Sequence, residues 1–274
     1  MFDNILQNLQ ATRPLVHCIT NYVTANDVAN AVLACGASPI MADDSDEVEE
    51  ITSLCTSLVI NIGTLNKRSV QSMILAGKRA NALSHPVVLD PVGIGASRLR
   101  TQTALHLLEQ IHFDVIRGNS SEIKTLAGQN ASVQGVDADI ADSIHQSSLD
   151  QYIALAQSLS LRYNAVVAIT GAIDIVADNE KAFVIYNGHP LMSKITGTGC
   201  MLSGLLGGFV GANPKDVLLA AAAAVSLMGL CGQLAHEKML QFDGGTSLFR
   251  TFLIDAISNM TTEILKRGVQ IEVR

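Results

Sequence analysis

The run Gly197-Thr198-Gly199-Cys200 is the sharpest chemical feature of this sequence. Two glycines let a backbone approach a ligand closely. The apolar helix predicted to begin near Met201 would present unpaired N–H groups and a positive dipole end to an anion. A glycine turn leading into a buried helix has the same composition. Cys200 at a helix N-terminus is predicted to have a lowered pKa and thiolate character; a structural, buried thiol is the plain alternative. Asp90 and Glu122 each follow an apolar run, with Asn119 close to Glu122. Carboxylates with water suit Mg²⁺, which holds phosphates and keeps several waters. A turn Asp and a helix N-terminal Glu are equally ordinary. Arg117 has the chemistry to hold a phosphate, though an exposed Arg is common. His17 and His189 have no partners at metal-ligand spacing and are read as site-lining or structural.

These residues need elements that bring them together. Short, nearly uninterrupted apolar runs predict strands at Leu15–Thr20, Ser38–Ala42, Ser57–Ile62, Pro86–Leu89, Asp114–Ile116 and Ala165–Thr170, the pattern of a sheet buried on both faces. Helices are predicted between them, at Ala25–Cys35, Asp46–Thr56, Lys67–Leu83, Arg98–Ile111, Ser121–Ala127 and Asp150–Tyr163. Thr24 and Ser45 are candidate caps for the first two. Alternating β and α implies parallel strands. Beyond Thr170, Ile173–Ala177 and Lys181–Tyr186 flank a turn and predict an antiparallel hairpin on the sheet edge. The last third predicts helices at Gly199–Val210, Lys215–Lys238 and Ser247–Lys266, the last capped by Thr246. Ligands in such folds bind where the strands end. Thr20-Asn21, Asp43-Asp44, Asn61–Thr64, Asp90–Gly95, Arg117–Glu122 and Thr170-Gly171 all collect at that edge.

Composition narrows the class. The 274 residues are 48% hydrophobic but only 16% charged and 4% aromatic, with no Trp and a net charge of −7. That excludes disorder and argues against a base-stacking nucleic-acid module. It leaves a covered parallel sheet or a membrane protein. Val217–Leu230 and Met201–Ala212 fall short of the roughly 20 residues of a span and are read as buried helices. The polar start, Met1–Thr12, is read as carrying no signal peptide. The five cysteines have no CxxC spacing, which predicts a reducing cytoplasm. No repeat or linker interrupts the chain, so one domain over residues 1–274 is expected. The polar stretch Gln129–Ser148 is read as a loop or a lid.

Seven segments, in order, resemble one family: LVHCITNYVTA (Leu15–Ala25), GASPIMA (Gly36–Ala42), NIGTL (Asn61–Leu65), DPVGIG (Asp90–Gly95), IRGNSSE (Ile116–Glu122), ITG (Ile169–Gly171) and ITGTGC (Ile195–Cys200). Together they resemble the hydroxyethylthiazole kinase family of the ribokinase-like superfamily, over essentially the whole chain. The resemblance implies a three-layer α/β/α fold around a mostly parallel sheet. It implies ATP-dependent phosphorylation of the primary alcohol of 4-methyl-5-(2-hydroxyethyl)thiazole in thiamine salvage, with Mg²⁺. By the same resemblance Met41 and Gly197 contact the thiazole alcohol with Asn21 nearby. Arg117 and Thr170 contact ATP, and Asp90, Asn119 and Glu122 organise Mg²⁺ through water. The loop of Gly197, Thr198 and Gly199 cradles the phosphoryl group, and the assembly is a homotrimer with sites between subunits. Ribokinase-like enzymes usually place an Asp base where Cys200 stands; the thiazole-kinase branch shares the Cys. Three other readings stay open at this point: a kinase of another small alcohol such as a hydroxymethylpyrimidine, a hydrolase whose Cys200 is activated by His17 or His189, and a nucleotide-binding module without catalysis.

Overall fold

The computed structural model describes residues 1–129 and 144–274, with the backbone of two short strands between them. The first half runs α1 (Asp3–Thr12), β1 (Leu15–Ile19), α2 (Ala25–Ala34), β2 (Ser38–Ile40), α3 (Val48–Leu54), β3 (Ser57–Asn61), α4 (Lys67–Ala82), β4 (Val87–Asp90), α5 (Arg98–Gln110), β5 (Val115–Asn119) and α6 (Ser120–Leu126). The strands β6 (Val133–Gln134) and β7 (Asp137–Ala138) form an antiparallel ribbon. Then follow α7 (Leu149–Tyr163), β8 (Val166–Thr170), β9 (Asp174–Ala177), β10 (Ala182–Ile185), α8 (Thr198–Ala212), α9 (Val217–Leu240), α10 (Thr246–Ser258), α11 (Thr262–Gly268) and β11 (Ile271–Val273). Most of the polar stretch Gln129–Ser148 lies outside the described residues.

One nine-stranded sheet runs β11-β10-β9-β8-β5-β4-β3-β1-β2. From β2 to β8 every pairing is parallel; β8-β9, β9-β10 and β10-β11 are antiparallel. The uninterrupted apolar runs are resolved into two cores by the pleat. Val16, Cys18, Val59, Val88, Val166 and Ala168 pack against α1, α2 and α8–α11. Their neighbours Ile19, Leu58, Ile60, Val87, Leu89, Val167 and Ile169 pack against α3–α7. Successive side chains leave opposite faces, and both faces are covered, so no position along the strand needs to be polar. The expected three-layer α/β/α architecture is present.

Differences from the sequence expectations have local causes. The hairpin β9-β10 forms, but β11 covers it and is the edge strand; its three residues are too short a run to stand out. The helix α1 buries Ile5, Leu6 and Leu9 at helical spacing inside a segment that reads as merely polar. The predicted C-terminal helix is two, because Thr261 caps α11 with its Oγ accepting from Ile264 N at 3.2 Å. β5 runs on to Asn119, since its polar end still pairs with β8, Arg117 opposite Ala168 and Asn119 opposite Thr170. Three predicted caps fail. Thr24 occupies the cap position of α2 but donates to Asn21 Oδ1 at 3.0 Å. Glu47 precedes α3 in place of Ser45, and Gly245 precedes α10, which Thr246 begins.

α9 is long and apolar enough to cross a bilayer, yet 72% of its most apolar 18-residue stretch is buried inside the protein. Met201–Val210 and Ala220–Cys231 are buried throughout, as expected of core helices.

Candidate active site

The parallel strands reverse direction of growth between β1 and β3: β1 pairs with β2 on one side and β3 on the other. Crevices at the carboxyl ends of strands at such a reversal are the favoured ligand sites of open α/β sheets. Here the pleat also decides which residues face α8. Val59, Val88, Val115 and Ala168 point to the α8 side, so the residues two further on, Asn61, Asp90, Arg117 and Thr170, point there too, each at or near the end of its strand. α8 lays its first turn over this polar row.

The contacts there form one network. Asp90 is fully buried, and its Oδ2 accepts from Asn61 Nδ2 and Ser203 Oγ, both at 2.7 Å. Its Oδ1 has no hydrogen-bond partner and lies 3.6 Å from Arg117 Nη1. Arg117 donates to Thr170 Oγ1 at 2.7 Å, while its Nε is buried without a partner. Cys200 Sγ receives Asn21 Nδ2 at 3.3 Å and Asn61 Nδ2 at 3.4 Å. Asn21, Arg117, Thr170, Asp90 and Cys200 are therefore brought together as expected. One expectation is overturned. Burial, and then the Asp90 charge, push the Cys200 thiol above its ordinary pKa. The helix N-terminus does not compensate for the loss of water.

Gly197 takes φ +90°, and a Cβ there would stand 2.8 Å from Thr24 Cγ2. Both its backbone and its neighbours demand glycine. Thr198 Oγ1 donates to the Met192 carbonyl at 3.1 Å and ties the loop down. Met41 follows β2 and lines a cleft of about 160 Å³ with Thr20, Tyr22, Thr64 and Met73. Arg100 fixes the loops after β3 and β4, donating to the carbonyls of Ile62 and Val92 at 2.8 Å and Gly63 at 2.7 Å.

Glu122 sits one loop further on. Its Oε1 accepts from Gly93 N and its Oε2 from Asn119 N, both at 2.8 Å. Asn119 Oδ1 accepts in turn from Glu122 N at 2.9 Å, a capping box that starts α6. Asn119 thus acts on the site by holding Glu122. Burial and the Asp90 charge push Glu122 up to about 7; burial likewise pushes Asp174 up to about 7. Asp174 opens β9 and accepts from Gly171 N at 2.8 Å. An acid whose folded pKa exceeds its unfolded value binds its proton more tightly when folded. Its stabilising contribution is full below the unfolded pKa and is lost as pH rises through the folded one. The ligand-free protein should therefore lose stability between about pH 4 and 7.5, by about 3 kcal/mol for Glu122 and about 4 kcal/mol for Asp174 at 1.36 kcal/mol per unit. Thermal melts across that range check this, and Glu122→Gln should flatten the slope.

Asp90 lies against the Arg117 guanidinium, whose charge also acts on Glu122, and Asp90 Oδ1 is an orphaned buried acceptor. Among the described residues no group of three or more His, Cys, Asp or Glu comes together. Such a donor set does not make a closed metal cage. It fits Mg²⁺, which takes one or two carboxylates, keeps waters and arrives with phosphates. The histidines stand elsewhere. His17 points away from α8, with Nε2 donating to the Ala42 carbonyl at 2.8 Å and Nδ1 2.9 Å from Thr52 Oγ1. His189 stacks on His236 at 3.7 Å and accepts from Leu191 N. Neither geometry supports a Cys–His nucleophile pair. Cys18, Cys35, Cys55 and Cys231 are buried, as expected of core residues. Sequence reasoning placed Asn61 at the strand-end edge without giving it a role, and missed Ser203, Arg100 and Asp174. Asp174 follows the Thr170-Gly171 strand end by three residues, which was the available signal.

A family model described as the hydroxyethylthiazole kinase family matches residues 6–263. A hydroxyethylthiazole kinase of Clostridium acetobutylicum is 54% identical over 272 residues, 99% of each chain. The solved structure of a hydroxyethylthiazole kinase from Pyrococcus horikoshii is similar at TM-score 0.87, with 35% identity over 99% of this chain and 98% of that one. A ribokinase-like superfamily protein from Enterococcus faecalis shares the fold at TM-score 0.59 and 14% identity, over 92% of this chain and 89% of that one. With a family model spanning nearly its whole length and relatives matched end to end, the chain belongs to the hydroxyethylthiazole kinase family.

Proposed function

We propose that this chain transfers the γ-phosphoryl group of ATP to the primary alcohol of 4-methyl-5-(2-hydroxyethyl)thiazole, in thiamine salvage. The observation that carries this reading is the 54% identity to a hydroxyethylthiazole kinase across 99% of both chains. The geometry is in keeping with it. Met41 lines the cleft that would take the thiazole; Asn21, between the cleft residues Thr20 and Tyr22, bonds Cys200, and Gly197 stands beside Thr24. Arg117, with a buried and unspent Nε, and Thr170 would contact ATP. The amides of Thr198 and Gly199, with Gly197 before them, would cradle the transferring group. Asp90, and Glu122 held by Asn119, would hold Mg²⁺ through water; the ion supplies charge neutralisation at the phosphates when bound.

In this proposal the protein's own part is positioning and charge stabilisation, since phosphoryl transfer has a loose transition state and little covalent chemistry. A thiol kept protonated by burial is a weak base, so Cys200 serves to place the attacking hydroxyl, whose proton leaves late. Cys200→Ala should then lower kcat about ten- to a hundredfold without abolishing turnover, with the KM for ATP unchanged. Cys200→Asp should stay active. Loss of all turnover in both variants contradicts this role. The substrate assignment is tested by a panel of alcohols with ATP and Mg²⁺. The thiazole alcohol should be the preferred acceptor, and preference for a hydroxymethylpyrimidine would overturn it.

We further propose one kinase domain over the whole chain, working in the cytoplasm as a homotrimer. The continuous nine-stranded sheet supports the single domain, and the absence of CxxC spacing fits a reducing compartment. Tyr22 lines the cleft yet is 81% exposed, which suits a wall completed by another subunit. Light scattering should give three chains per particle.

A further inference from the structure

Asn61 is buried at the end of β3, and no position around it offers a choice of amide orientation. Gly63 N, a donor only, lies 2.9 Å from its Oδ1. The Asp90 carboxylate, an acceptor, lies 2.7 Å from its Nδ2. The neighbouring amide is fixed in the same way: Thr24 N, again a donor only, lies 3.1 Å from Asn21 Oδ1. Asn21 Nδ2 then has to face Asn61 Oδ1, and does so at 3.0 Å. Each amide group has two N–H bonds. One of Asn21 is spent on Asn61 and one of Asn61 on Asp90, which leaves one apiece, and both point at Cys200 Sγ, at 3.3 and 3.4 Å. The sulfur accepts two N–H groups from the strand-end side, so its own proton is directed away from them. Two backbone N–H groups far from the chemistry thereby dictate the polarity of the whole chain of amides.

We propose that Asn61 is a positioning residue of the transfer reaction: its carboxamide holds the Cys200 thiol and the Asp90 carboxylate in one fixed arrangement. It touches neither reactant. It acts by allowing the thiol one orientation and the carboxylate one rotamer, so that hydroxyl and phosphate meet in a single geometry. This rests on the phosphotransfer reading above.

Asn61→Leu keeps the branching at Cγ, with somewhat more bulk, and removes every side-chain hydrogen bond of the amide; Ser203→Ala removes the other donor on Asp90 Oδ2 and leaves the thiol untouched. Misplacement on the order of 1 Å can cost a hundredfold in rate. For Asn61→Leu the expected result is a kcat lowered about a hundredfold, with the KM for each substrate within about threefold, against about tenfold or less for Ser203→Ala. A crystal structure of Asn61→Leu should show the Cys200 thiol rotated off its present position. Should Asn61→Leu fail to fold, Asn61→Ala makes the same test, because it removes both N–H groups without setting a second carboxyl against Asp90. Near-normal kcat in the folded variant overturns the proposal. So does a loss expressed in KM alone, or a loss equal to that of Ser203→Ala with the thiol unmoved. If the wild-type protein does not phosphorylate the thiazole alcohol, the activity reading has failed on its own, and the thiol's orientation in the variant structure still decides this one: displaced supports it, unmoved overturns it.

Discussion

Asp90→Asn should lower turnover about a thousandfold, equivalent to about 4 kcal/mol of transition-state stabilisation, while thiazole binding changes little. Asp90 has no exposed surface. One of its oxygens is held by Asn61 and Ser203, and the other is left without a hydrogen bond 3.6 Å from Arg117. Burial pushes its pKa up, so ionising this carboxyl comes at a cost, and a free carboxyl oxygen beside a guanidinium is what a phosphate-handling site would keep. The amide has the same shape, but it turns an N–H₂ group toward either Arg117 or the donors of Asn61 and Ser203. Steady-state kinetics and titration of the thiazole alcohol check the split. A loss of less than tenfold would show that Asp90 is structural.

Gly199→Ala should weaken the use of ATP about a hundredfold in kcat/KM and leave the fold nearly as stable. A Cβ at this position would stand 2.5 Å from Arg117 Nη1 and 2.6 Å from Nη2. Side-chain ends usually swing aside, but the Arg117 side chain is only 11% exposed and is bonded to Thr170. It has to leave its place beside Asp90. In α8 itself alanine is the better helix former by about 1 kcal/mol, so the local backbone gains. The expected signature is a raised KM for ATP, a KM for the thiazole within about threefold, and a melting temperature shifted by only a few degrees. An unchanged KM for ATP would remove Arg117 from the nucleotide site.

The site was legible in the sequence where glycine and acidic residues punctuate apolar runs. Asp90, Arg117 and Cys200 stand at the ends of such runs, and strand ends converge in a parallel sheet whatever the details of packing. Asn61 was legible as a polar strand-end residue but not as a site residue with a role, because its role depends on which face of β3 its side chain leaves from and on α8 lying over that face. The Cys200 thiol shows the same limit. Its place at a helix start argued for a lowered pKa, whereas the neighbours that bond it come from the loop after β1 and from the end of β3, more than a hundred residues away in the chain. Short elements failed for a plainer reason: β11 has three residues and becomes a strand only because β10 offers it an edge. Thr24 has the chemistry of a cap, but its side chain is turned to donate to Asn21 Oδ1 and accepts from no N–H of α2.

The most direct measurement is of phosphate monoester and ADP formed from ATP, Mg²⁺ and 4-methyl-5-(2-hydroxyethyl)thiazole, beside a control without the alcohol. The account requires one thiazole phosphate for each ADP and almost no ADP in the control. ADP formed equally in both, with no phosphorylated alcohol, would contradict it.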